Sequence, residues 1–112
     1  EGIIISWNKG AERIYGYKSE EIKGLSAQVL SPKSKKDEIK LIIRKVIKGA
    51  KFENFETVRR RKNGDLFYVS LTVSPIKDAT GRIIGVSTIA RDITEKKMAE
   101  LAIKESEQKF RR

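Results

Sequence analysis

The spacing of apolar and polar residues changes several times along the chain, and each change marks an element. Ile3 to Trp7 is a β-branched, apolar run after Gly2, which predicts a buried strand. Asn8 then reads as an N-cap, with Ala11, Ile14 and Tyr15 at i, i+3 and i+4 on one helical face and Gly16 as the stop. Ser19 is placed to cap a further single turn, Ser-Glu-Glu-Ile, before Gly24, and residues 25–32 read as irregular up to Pro32. From Ser34 to Lys48 the positions Ile39, Ile42, Ile43, Val46 and Ile47 recur at helical spacing, and Gly49 ends the pattern. This predicts one long amphipathic helix, whose cationic face (Lys35, Lys36, Lys40, Arg44, Lys45, Lys48) reads as a solvated surface.

After Gly49 the period becomes two. Phe52 to Arg61 reads as a strand, Lys62-Asn63-Gly64-Asp65 as a hairpin turn, and Leu66 to Ile76 as its partner, with Phe67, Val69, Leu71 and Val73 alternating against Tyr68, Ser70, Thr72 and Ser74. Asp78 to Gly81 forms a second turn and Arg82 to Ile93 a third strand, in which Gly85 marks a bulge or a close backbone contact. Three consecutive antiparallel strands follow. Thr94 then caps a helix running to the C-terminus, free of Gly and Pro, with a thin apolar seam of Met98, Leu101 and Phe110 and with Ile103 beside it.

Composition narrows the chemistry. The 112 residues carry a formal net charge of +10 and contain neither His nor Cys. Without cysteine there is no disulfide, thiolate nucleophile, iron–sulfur cluster or cysteinyl flavin, and without histidine no His-ligated haem, catalytic triad or phospho-accepting imidazole within these residues. A chain of this length is one domain by size. Its longest aliphatic runs are three residues, against the ~20 a membrane helix needs, and no signal-peptide pattern opens it, so a cytoplasmic location is expected. Basic residues are spread along the chain, and the clusters Lys33/Lys35/Lys36 and Arg59 to Lys62 lack interleaved aromatics, so nucleic-acid binding is not expected. Glu53, Glu56 and Asp65 are not paired at a recognisable catalytic spacing, and no enzymatic activity is expected.

Three stretches share their wording and order with a known family. Gly2 to Tyr17 (GIIISWNKGAERIYGY), Arg59 to Val86 (RRRKNGDLFYVSLTVSPIKDATGRIIGV) and Ala90 to Glu100 (ARDITEKKMAE, with an Asp-Ile-Thr exit motif) together resemble a PAS domain, the sensory module of histidine kinases and related regulators. The resemblance implies an α+β fold, in which an antiparallel sheet is covered on its concave face by short helices and one long helix and is followed by a C-terminal signalling helix. It divides the chain into a sensory domain over 1–93 and a signalling or linker helix over 94–112. The tail Ala102 to Arg112 resembles the opening of a further PAS repeat, which implies a downstream PAS or kinase domain.

By this resemblance the chain is a sensory and dimerisation module of a two-component sensor histidine kinase, itself non-catalytic. The alternative is a ligand-free protein-interaction module that only assembles dimers. The ligand pocket of the family falls on Trp7, Ala11, Ile14, Ile43, Val46 and Val86. It either holds an unidentified small molecule or is plugged by these side chains, and no cofactor is assigned. Asp92 and Thr94 are the expected signal relay: Thr94 caps the exit helix and Asp92 pairs with a cation of a neighbouring turn such as Lys77 or Arg82.

The family carries a strand before the turn at Glu1-Gly2, and that strand is missing here. It would lie between the Ile3 to Trp7 strand and the Arg82 to Ile93 strand. An open apolar edge is a template for another chain, so either Ile3 to Trp7 moves over to pair with residues 82–93 or a second copy contributes a strand. The intermolecular solution is favoured, since a shift would drag Trp7 away from the pocket. Met98, Leu101 and Phe110 are likewise expected to pack on a partner chain or back on the sheet.

Overall fold

The period-two stretch folds into an antiparallel meander, β1 (Phe52–Arg60), β2 (Leu66–Lys77) and β3 (Ile83–Asp92), in the order β1-β2-β3. A computed structural model describes residues 2–110, with the side chains of residues 106–110 outside that description. Ahead of the sheet come α1 (Lys9–Tyr15), α2 (Ser19–Ile22), two 3-10 turns (Ala27–Leu30 and Lys33–Lys35) and α3 (Lys36–Ile47), and after it α4 (Thr94–Phe110). The α+β class expected from the sequence, an antiparallel sheet with short helices, one long helix and a C-terminal helix, is what the chain adopts.

Alternation along β2 decides the layering. Phe67, Val69, Leu71 and Val73 are all buried on one face, where they meet Ile42 and Val46 of α3 together with Tyr15, Ile22 and Leu30. Fully burying each such side chain contributes roughly 1.5–3 kcal/mol. The helix spacing read over 34–48 puts Ile39 and Val46 inside as expected, but Ile43 is only half-buried and Ile42 takes the inward position. The opposite face of the sheet carries the register partners Glu56, Ser70 and Arg91. There Lys97 of α4 reaches Glu56 at 2.7 Å, and Ser70 is 5% exposed.

Several local signals read from the sequence are found in the structure. The Asn8 carboxamide oxygen accepts from Ala11 N at 2.8 Å, and Gly16 closes α1 at φ 83°. In the β1–β2 turn Asn63 Oδ1 accepts from Asp65 N, and Gly64 takes φ 94°, a conformation that a side chain would strain. Gly85 does mark a bulge: Ile76 pairs with Gly85 and Lys77 with Ile83, leaving Ile84 as the extra residue. A second irregularity, unsignalled in the sequence, lies between Phe52 and Phe55, where Asn54 has φ 50°.

Three expectations are corrected. Ile3 to Trp7 is not a strand of the sheet. Ile4 N donates to Leu25 O at 2.9 Å, Gly24 N to Ile4 O at 2.8 Å and Ala27 N to Gly2 O at 2.7 Å, so this run is satisfied by the 24–27 loop, with a single bridge between Ile3 and Ser26. It therefore does not move over to β3. Ser19 is not the cap of α2; Lys18 occupies the cap position, its N–H donating to Glu21 Oε2, and Ser19 N donates to Glu12 Oε2. Along α4, Met98 is 56%, Leu101 45% and Ile103 62% exposed, so the seam does not fold back on its own sheet. Phe110 of that seam and Glu1 of the opening turn lie outside the described residues and side chains.

Candidate functional site

Of the six residues assigned to the pocket, five lie in or against the buried core cluster. Trp7, Ala11, Ile14 and Val86 are half-buried and packed against the buried cluster, Val46 is fully buried within it, and Ile43 lies beside Gly2 at the margin. The Trp7 indole N–H donates to the Tyr17 carbonyl at 2.9 Å, and its ring stands 5.4 Å from that of Tyr15, which in turn meets Phe67 edge-on at 5.4 Å. Even half-buried, the indole N–H keeps a partner, because an N–H taken from water without one is costly.

The relay residues are tied together, though not to the partners expected. Asp92 does not pair with Lys77 or Arg82. Its Oδ2 accepts from Arg61 Nη2 at 2.8 Å and its Oδ1 from Thr94 N at 2.9 Å. Arg82 precedes β3 and Asp92 ends it; at about 3.4 Å per residue the strand holds them roughly 30 Å apart. The antiparallel return of β2 instead brings the β1–β2 turn beside the end of β3. Nor does Thr94 cap a free helix amide: its Oγ1 accepts from Tyr68 N at 3.1 Å and faces Tyr68 O at 3.4 Å. Ile93 N also donates to Tyr68 O, at 3.0 Å, so a single residue of β2 holds the start of α4 through both its N–H and its C=O.

Arg61 is the residue that sequence reading missed. Its guanidinium lies 4.0 Å over the Phe67 ring, donates to the Ile14 carbonyl at the end of α1 and pairs with Asp92 beside α4. It thus connects the helix carrying two pocket residues to the exit helix. Burial pushes the Asp92 carboxyl up, but the bonds from Arg61 and Thr94 outweigh it and hold it below the usual carboxylate range. The one signal available was the basic run Arg59 to Lys62: on a strand, Arg59 and Arg61 share a face, and that face is the inner one.

Arg59 shows what the inner face does to a charge. It is 3% exposed, and its Nη1 donates to Glu38 Oε1 of α3 at 2.6 Å, while Thr57 Oγ1 also donates to that carboxylate at 2.7 Å. The pair clamps the first turn of α3 to β1. Tyr15 is pushed up to about 12, mainly by burial, which Arg59 and Arg61 partly oppose. Glu56 and Lys97 form a further tie, with the carboxyl held low and the ammonium raised by their mutual hydrogen bond.

This geometry of short helices, a long helix, a three-stranded meander and a tethered exit helix matches one family. A PAS domain model matches residues 1–95, and the chain belongs to the PAS domain family, whose members are generally non-catalytic sensory modules. Among curated proteins, Two-component system protein A of Emericella nidulans is 33% identical over 101 residues, covering 88% of this chain but 14% of that protein. Among solved structures, the PAS domain of a protein from Colwellia psychrerythraea superposes with a TM-score of 0.76 at 28% identity, covering 84% of this chain and 80% of its own. A light-oxygen-voltage domain studied with a flavin analogue gives 0.69 at 20% identity, covering 94% and 77%, and shares the fold. An RNA-binding light-oxygen-voltage receptor gives 0.74 at 22%, covering 90% of this chain and 29% of its own.

The residues here do not fit a cysteinyl flavin, since the chain contains no cysteine. Among the described residues no group of three or more Asp or Glu is placed to hold a metal ion, and no helix is long and apolar enough to cross a membrane.

Proposed function

We propose that this PAS domain is the sensory and dimerisation module of a two-component sensor histidine kinase, acting in the cytoplasm and relaying the state of a small ligand or partner through α4. The carrying observation is the unbroken set of contacts from Ile14 through Arg61 and Asp92 to Thr94 and Tyr68. A change at the pocket residues Trp7, Ala11, Ile14, Ile43, Val46 and Val86 displaces the end of α1, and Arg61 passes that displacement to the first residue of α4. Division at 93/94 separates the sensory unit from the helix that a downstream PAS or kinase domain reads. A homodimer joined along the exposed side of α4 completes the reading. It needs no nucleic acid and no resident cofactor.

Asp92→Ala and Thr94→Ala in the full-length protein test it. Regulation of the output is expected to fail while the domain stays folded; a loss of regulation only in proportion to lost stability would refute the relay. A second reading, assembly without ligand, draws on Val46, Ile22 and Val69, which are at 0% exposure and fill the interior themselves. Native mass spectrometry separates the two, because a stoichiometric small molecule supports sensing and an empty chain supports assembly.

A further inference from the structure

The core face of the sheet ends in an open cleft between the end of α1 and the β1–β2 turn, of about 380 Å³, lined by Arg13, Ile14, Tyr15, Arg61, Lys62 and Asn63 among others. Three of its residues are cations and none is an acid. Glu21 and Asp92, which are not part of the lining, pair with Lys62 at 2.6 Å and with Arg61 at 2.8 Å, while Arg13 meets no described carboxylate within 4.0 Å. The carbonyl groups that would repel an anion at a helix end are already occupied: Ile14 O accepts from Arg61, and Tyr15 O from Lys62 N at 2.8 Å. Arg61 is held in place by Phe67 on its face and by two acceptors at its edge, yet a guanidinium has five N–H donors and retains some for a further acceptor.

We propose that this cleft is a binding site for a phosphate dianion, free or as a phosphomonoester, held by Arg13, Arg61 and Lys62. Three acceptor-rich oxygens and a double charge match three cations around one opening better than a single carboxylate does. Bound there, the dianion competes with Asp92 for Arg61 and loosens the tie to α4. The site stands on the cleft alone, whereas its regulatory effect rests on the relay proposed above.

The test is a titration of the isotopically labelled chain, followed by NMR at constant ionic strength. Inorganic phosphate and glycerol 3-phosphate are the probes, and acetate is the control for single charge. Saturable shifts are expected at Gly16, Lys62 and Asn63, with Arg13→Gln weakening the affinity at least fivefold and Asp92→Asn strengthening it severalfold. Among the described residues Arg13 forms no ion pair, so R13Q leaves the rest of the spectrum in place. Equal affinity for both probes assigns the phosphate group itself, and tighter binding of glycerol 3-phosphate assigns a phosphomonoester. Unsaturable shifts spread over the lysines of α3, acetate binding as well as phosphate, or an unchanged affinity in R13Q would overturn the site. Binding that D92N leaves unaltered would overturn only its link to α4.

Discussion

Thr94→Val isolates the strut between β2 and the exit helix. The substitution keeps the β-branched shape and leaves the Thr94 backbone N–H donating to Asp92 Oδ1 and Arg61 pairing with Asp92 Oδ2, so the main bonds of Asp92 are kept. What it removes is the hydroxyl. Tyr68 O keeps Ile93 N as its donor at 3.0 Å, so a single group, the Tyr68 N–H, loses its acceptor. An orphaned buried donor costs about 1–3 kcal/mol, and this one is only half-buried, which places the loss at about 1–2 kcal/mol. For a domain of this size that corresponds to a fall in Tm of roughly 5–10 °C. The loss is expected to be local as well as global: Lys97 N donates to Ile93 O at 2.9 Å in the first turn of α4, and its amide should exchange with solvent about tenfold faster. Thermal unfolding and hydrogen exchange measure both, with Thr94→Ser, which retains the oxygen, recovering most of each. A T94V protein that melts within 1 °C (roughly 0.2 kcal/mol) of the parent, with unchanged exchange at Lys97, would refute the strut.

Arg59→Met leaves the Glu38 carboxylate on the inner face with Thr57 as its remaining inward partner and should cost about 3–5 kcal/mol in urea unfolding; replacing Arg59, Glu38 and Thr57 together by Met, Leu and Val should recover to within about 1 kcal/mol, and failure of that recovery would contradict the cause given. Tyr15 has a folded pKa raised to about 12, so its contribution is present in full below the ordinary value of 10.0 and is lost as pH rises towards 12. Tyr15→Phe should therefore flatten the alkaline fall in stability by up to about 2–3 kcal/mol, and parallel pH curves for the two proteins would count against it. Leu101→Glu on the exposed seam of α4 should lower self-association in sedimentation at micromolar concentration, and a parent chain already monomeric there would remove this interface.

What could be read in advance divides by the distance over which each residue finds its partner. The hairpin over 52–77 was legible because alternation and an Asn-Gly turn specify both strands and their register within a few residues. The run Ile3 to Trp7 was not, because β-branched apolar residues state a preference for extended backbone without naming the neighbour, and Gly2 and Gly24, at φ 77° and 89°, let the 24–27 loop come alongside. The exit motif singled out Asp92 and Thr94, but not their partners. Arg61 and Tyr68 lie 31 and 26 residues away, and only the antiparallel return of the sheet brings them near. Five of the six pocket residues lie in or against the core cluster, as their apolar spacing led one to expect, while the Glu38–Arg59 pair was concealed because a charged residue on a strand reads as solvent-facing until the other face of the sheet is seen.

Under the proposed relay, the tether of α4 at its first residues makes the helix a mechanical amplifier. Seventeen residues at 1.5 Å rise give an arm of about 25 Å, pivoting at Thr94 and steadied three residues on by the Lys97–Glu56 pair. A tilt of about 10° at the pivot, produced by sub-ångström adjustment of the Tyr68 and Asp92 contacts, carries the far end through roughly 4 Å, most of the 5.4 Å pitch of a helical turn. In the relay proposed above, gain of this kind comes from leverage and not from binding strength, so a weakly bound signal at the sheet resets which side chains the tip of the helix presents.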